Sequence, residues 1–159
     1  MQTKLNFKKA IVNFAWAYLV VTILAYSISI LFGIIFKLPS YQDLGVSLFE
    51  DPAFVMTVPY HLLINLLTWT LFSYLYFKKK EGNKYLLKEA FHLSCFWLVL
   101  AMIVDFIGFV LIKSPLSLTP HQFYVEYQPW ISITYLLLFI SPFISYGILK
   151  RKNVSPVNR

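Results

Sequence analysis

The chain has 159 residues, 58% of them hydrophobic and 19% aromatic, with a mean hydropathy of +0.65. That is more apolar surface than a soluble domain of this length can hide, so lipid is the expected solvent. The net charge of +7 does not point to a nucleic-acid partner, because the charges cluster between long apolar runs, as topology signals do.

The opening "MQTKLNFKKA" has the charge of a signal-peptide start. The apolar run behind it continues to Phe36 with no small-residue cleavage pattern, so it reads as an uncleaved first span, 10–36. Three further apolar runs follow, at 52–77, 90–112 and 129–149. Each is long enough to cross a hydrocarbon core of ~30 Å at 1.5 Å per residue. The first, at roughly 40 Å if helical, must tilt or project into water. The predicted fold is all-α: an integral membrane four-helix transmembrane bundle with short external interfacial helices.

Between the first two runs, "PSYQDLGVSLFED" offers Ser40 and Asp43 as a capping pair for a short helix, weakened by Gly45. The second run contains Pro59, which either kinks the helix or marks its true start. His61, Asn65, Thr68 and Trp69 fall near one face and make a polar stripe.

The third run carries His92, Cys95 and Asp105. Cys95 is the single cysteine, so an intrachain disulfide and a dithiol mechanism are excluded. Asp105 is the conspicuous residue. A carboxylate within a span is costly unless it is held, and it marks a candidate site. It lies eight residues from Lys113, roughly 12 Å deep along a helix. His61 lies at similar depth and is its expected partner, with Asn65 one turn deeper.

After the third run, "LTPHQFYVEYQPW" shows Thr119, Pro120 and Gln122 in an N-cap, N1 and N3 pattern, predicting a short helix over 120–127. Tyr124, Tyr127 and Trp130 are the expected headgroup-level anchors. Glu126 is a candidate for the mouth of a cavity holding Asp105. Pro142 interrupts the fourth run and frees the carbonyl of Leu138. No histidines and carboxylates fall at metal-ligand spacing, so neither a metal nor another cofactor is expected.

Twelve of the fourteen lysines and arginines lie at the N-terminus, between the second and third runs, or at the C-terminus; only Lys37 and Lys113 lie on the other side. This predicts a plasma-membrane protein with both termini cytoplasmic. The basic clusters would attract anionic lipid headgroups on that side.

The halves also resemble one another. "KLNFKKA" from Lys4 matches "KYLLKEA" from Lys84 at an offset of 80. "KLP" from Lys37 matches "KSP" from Lys113, and Glu50 matches Glu126, at 76. "SYLYFKKK" from Ser73 matches "SYGILKRK" from Ser145 at 72. Each step drops by four residues, about one helical turn, which nearly preserves helix faces. The pattern predicts either two tandem α-hairpins, 4–80 and 84–152, or two unrelated hairpins obeying the same topology rules.

"VDFIGF" at 104–109 is similar to a segment around a catalytic aspartate in lipoprotein signal peptidases. The second aspartate of that family, in its Asn/Asp/Arg setting, has no counterpart here, so no residue is carried over.

The sequence therefore predicts a non-enzymatic multi-pass membrane protein binding a lipid, a small ligand or a partner membrane subunit, in an accessory, immunity-like or assembly role. Asp105, His61, Asn65 and Glu126 are its candidate ligand or ion residues. Two alternatives stay open: an oligomeric transporter or channel with Asp105 as proton or cation site, and a membrane enzyme acting on lipid. The enzyme would need Asp105, His61 and Glu126 in one pocket.

Overall fold

The computed structural model describes residues 5–78, 85–113 and 117–154. Lys4, Lys79, Lys80, Lys84 and Arg159 of the basic clusters lie outside the described residues, as do Ser114 and Pro115 of the proposed repeat. Every regular element among the described residues is helical.

Four helices are long and apolar enough to cross a membrane. α1 (Phe7–Phe36) starts three residues before the apolar run because Asn6 caps it, accepting from the Lys9 N–H at 3.0 Å. It ends at Lys37 in the left-handed conformation (φ 50°), where the Leu38 N–H returns to the Gly33 carbonyl at 3.0 Å.

α2 (Tyr41–Leu44) is a single turn. Ser40 and Asp43 form a reciprocal capping box, and Gly45 ends the turn with φ 67°. The glycine that weakened the prediction is thus the stop signal itself. A 3₁₀ turn, Leu48–Glu50, follows.

α3 (Pro52–Phe77) begins where Asp51 accepts from the Ala53 and Phe54 N–H groups, with Pro52 in the first turn. Pro59 is therefore an interior proline. The other Asp51 oxygen accepts from Tyr41 N–H at 2.8 Å and ties the loop to the helix.

α4 (Leu86–Asp105) starts four residues before its apolar run, and its first turn carries Glu89, which is buried. Immediately after Asp105 the helix widens into a π-type segment, Phe106–Leu111. A second π-type segment, Gln122–Glu126, lies in the predicted 120–127 helix, behind a Thr119–Gln122 capping pair. α5 (Trp130–Val154) contains Pro142 and carries Arg151 and Lys152 in its last turn, where cations suit the helix dipole.

α3 is the central helix, packing along α1 on one side and α5 on the other. α4 packs along α5 and touches α1 more sparsely. Alanines at the contacts, Ala10, Ala17, Ala90 and Ala101, let the backbones approach closely. Phe14, Trp69 and Trp97 fill the middle, with ring centroids 5.3 Å (Phe14–Trp69) and 5.4 Å (Trp69–Trp97) apart. The Trp97 indole donates to the Ala10 carbonyl at 3.0 Å.

On α1, only Ala10, Phe14 and Ala17 are buried, while Trp16, Ile23, Ile30 and Ile34 lie outside. An apolar surface of this extent is what lipid contact accommodates.

Ser73 and Ser145 meet at the α3–α5 contact, Oγ to Oγ at 2.6 Å, and Ser145 also donates to the Thr70 carbonyl at 2.7 Å.

Candidate functional site

One gap in the packing lies at the end of the bundle that carries residues 37–51 and 117–129. There the residues of α1 from Tyr18 to Ser29 stand opposite Ala101, Asp105 and Phe109, across a cavity of about 150 Å³. His61, Asn65 and Trp69 of α3 and Thr134, Tyr135 and Leu138 of α5 complete its walls.

Asp105 projects from the last turn of regular α-helix before the π-type widening, an irregularity common at functional sites. Its two oxygens are held separately. Oδ1 accepts from the Tyr18 hydroxyl at 2.5 Å, and Oδ2 accepts from the Tyr135 hydroxyl at 2.9 Å. The carboxylate thereby joins three helices, and the two phenols hold it without neutralising it.

His61 is not the hydrogen-bonding partner expected for Asp105. Its Nε2 lies 3.1 Å from the Ala25 carbonyl and 3.0 Å from Ser29 Oγ. A carbonyl only accepts, so this geometry places the proton on Nε2. Ser29 in turn meets Thr57 Oγ1 at 2.9 Å, and Thr57 donates to the Ala53 carbonyl at 2.7 Å. The histidine belongs to an α1–α3 network. Asp105 and His61 share the cavity but not a bond.

The polar stripe of α3 is continuous. Asn65 donates to the His61 carbonyl at 2.9 Å, and the Trp69 indole donates to Asn65 Oδ1 at 3.1 Å. Both bonds span one helical turn, so this stripe is largely spent within its own helix. Asn65 lines the cavity with its amide already paired.

Glu126 does not line this cavity. Its carboxylate pairs with His121 Nδ1 at 3.0 Å on the exposed surface, beside a separate recess that includes Ser47, Glu50 and Trp130. Asp105, His61 and Glu126 therefore do not share a pocket. Exposed pairs of this kind contribute little. Glu126→Ala should leave stability in detergent within about 0.5 kcal/mol of wild type, measured by thermal unfolding.

Of the predicted anchors, Trp130 lies at the surface and Tyr124 is half-buried outside the cavity, while Tyr127 lines the cavity. Its ring stacks on Phe49 with centroids 3.8 Å apart and planes 10° from parallel, and burial holds its hydroxyl above the usual phenol range. Phe49, Phe123 and Tyr127 form an aromatic cover over the cavity, joining the two connections.

Tyr18, Tyr26 and Tyr135 were not singled out in the sequence, where they read as ordinary aromatic residues of apolar spans. The available signal was weak: a phenol in mid-span needs a partner.

A second buried acid, Glu89, also escaped notice. It is 1% exposed and accepts from the Tyr76 hydroxyl at 2.7 Å, at the end of the bundle that carries the termini. Lys9 donates to the Tyr76 carbonyl at the same place, at 2.5 Å.

Among the described residues, no three histidine, cysteine or acidic side chains gather at metal-binding distance. Comparison with protein-family models, curated proteins and solved structures returns no match for this chain.

Proposed function

We propose that this is a plasma-membrane, multi-pass binding protein that holds a small ligand or the polar part of a lipid in the cavity around Asp105, without turnover. The observation that carries the reading is a cavity with a carboxylate in its wall and an aromatic floor. Phe14, Trp69 and Trp97 pack ring on ring beneath it, toward the end that carries the termini. A closed floor argues against a continuous transport path.

In this reading both termini are cytoplasmic and the cavity faces outward, as the lysine and arginine distribution favours. A cysteine placed at Lys37 should react with a membrane-impermeant maleimide on intact cells, and one placed at Lys150 should not. The reverse pattern would invert the topology.

The tandem-hairpin reading gains support from the contacts. Ser73 and Ser145, matched at the 72 offset, touch each other between α3 and α5. Lys9 and Glu89, which differ but stand opposite one another at the 80 offset, both bond Tyr76. Contacts between matched positions are what a pseudo-twofold axis along the membrane normal brings about. Ser29 and Asp105, matched at 76, then line one cavity from two sides with different chemistry.

Thr134→Phe would fill the cavity without removing a hydrogen bond of the Asp105 cluster. Wild-type protein in detergent should gain thermal stability from at least one member of a panel of lipid headgroups and small metabolites, by mass action. The filled variant should lose that response. Identical responses in both proteins, or none in wild type, would sink the binding reading.

A further inference from the structure

We infer that the cavity around Asp105 is a site for a small organic cation, of quaternary or alkylated ammonium type. This rests on the binding reading above and names its ligand class. Three features converge.

First, the cavity wall carries a carboxylate, and among the described residues no lysine or arginine lines it. Both carboxylate oxygens accept from phenols, which add no positive charge. In a setting this poor in water, a carboxylate is stabilised as an anion by a compensating cation.

Second, the walls select the kind of cation. Tyr18, Tyr26, Phe54, Trp69, Phe123 and Tyr135 line the space. Aromatic faces attract large, weakly hydrated cations, and such cages are a recurrent solution for methylated ammonium groups. A bare alkali or alkaline-earth ion instead requires a shell of several oxygens, six to eight for calcium. The nearby oxygens of Ser29, Thr57, His61 and Asn65 are engaged in the helix-to-helix and intrahelical bonds described above.

Third, the size fits. About 150 Å³ is a space of the order that accepts a benzene-sized guest, and a trimethylammonium group is of that scale.

The same chemistry is offered by free choline and by the headgroup of phosphatidylcholine. Equilibrium dialysis of the full chain in detergent against labelled choline tests the inference. Its probe for charge is 3,3-dimethyl-1-butanol, which has the same shape with carbon in place of nitrogen.

Saturable binding near one choline per chain is expected, at least about tenfold tighter than the neutral isostere, a difference of about 1.4 kcal/mol. Asp105→Asn should remove that preference while leaving the isostere's affinity within about twofold. Thr134→Phe, which leaves the carboxylate in place, should abolish binding of both. Displacement of choline by phosphatidylcholine nanodiscs, but not by phosphatidylglycerol nanodiscs, would assign the lipid headgroup. Failure of both to displace it would assign the free solute.

Equal affinity for choline and the isostere would overturn the cation inference and leave an apolar binding cavity standing. Displacement by potassium at modest excess would also overturn it. Absence of binding for every probe, with no response to any panel compound, would overturn the cavity reading as well.

Discussion

Trp69→Ala is expected to lower the free energy of unfolding by about 3 kcal/mol, the lower end of the range for removing a core tryptophan. Trp69 is buried at the centre of the bundle, against Phe14 and Trp97. In a membrane, an exposed side chain meets lipid and not water, so little hydrophobic transfer energy is at stake. What is lost is dispersion contact across a hole too well walled to collapse, together with the indole donor that pairs Asn65. Trp69→Phe keeps most of the ring contact and should cost about 1 kcal/mol, mainly the hydrogen bond. Reversible unfolding by titration of mixed micelles with a denaturing detergent measures both. Equal losses for the two variants would show that the hydrogen bond, and not the packing, holds the centre.

The second large effect separates ligand binding from structural glue at Asp105. Asp105→Leu alone leaves the Tyr18 and Tyr135 hydroxyls without their acceptor, and should cost about 1–3 kcal/mol. The triple replacement Tyr18→Phe, Tyr135→Phe, Asp105→Leu removes the whole cluster. Replacing both sides of a buried polar contact with apolar groups of similar shape is close to neutral or stabilising. The triple variant should therefore match or exceed wild-type stability by ~1 kcal/mol and lose all binding. That combination is the signature of a carboxylate kept for function at a cost in stability. A triple variant less stable than the single one would identify the cluster as structural.

The number and limits of the long helices were legible because a spanning helix needs a run of apolar residues and little else. The shifts at helix starts have local causes: Asn6 caps α1 ahead of its apolar run, and α4 begins ahead of its run with Glu89 buried in the first turn. The capping pairs Ser40–Asp43 and Thr119–Gln122 were readable because their chemistry is confined to four residues.

The site was legible only as far as its residues are rare. Asp105 stands out in any apolar run, and it does line a cavity. Its partners did not stand out. Depth along two helices predicted that Asp105 and His61 would be neighbours, and they do line the same space. Depth says nothing of azimuth, however, and a few tens of degrees of helix rotation decide which side chains touch. The packed bundle fixes that rotation, and it brings Tyr18 and Tyr135 to the carboxylate. Glu126 fell on the wrong side for a similar reason. The π-type turn that carries it points Phe123 inward and leaves Glu126 at the surface with His121.

Native mass spectrometry of the full chain, released directly from its membrane, tests the central claim most directly. One retained small molecule or lipid per wild-type chain is the expected result, absent from Thr134→Phe and from the triple variant. Equal occupancy in all three, or bare protein in all three, would contradict a binding cavity around Asp105.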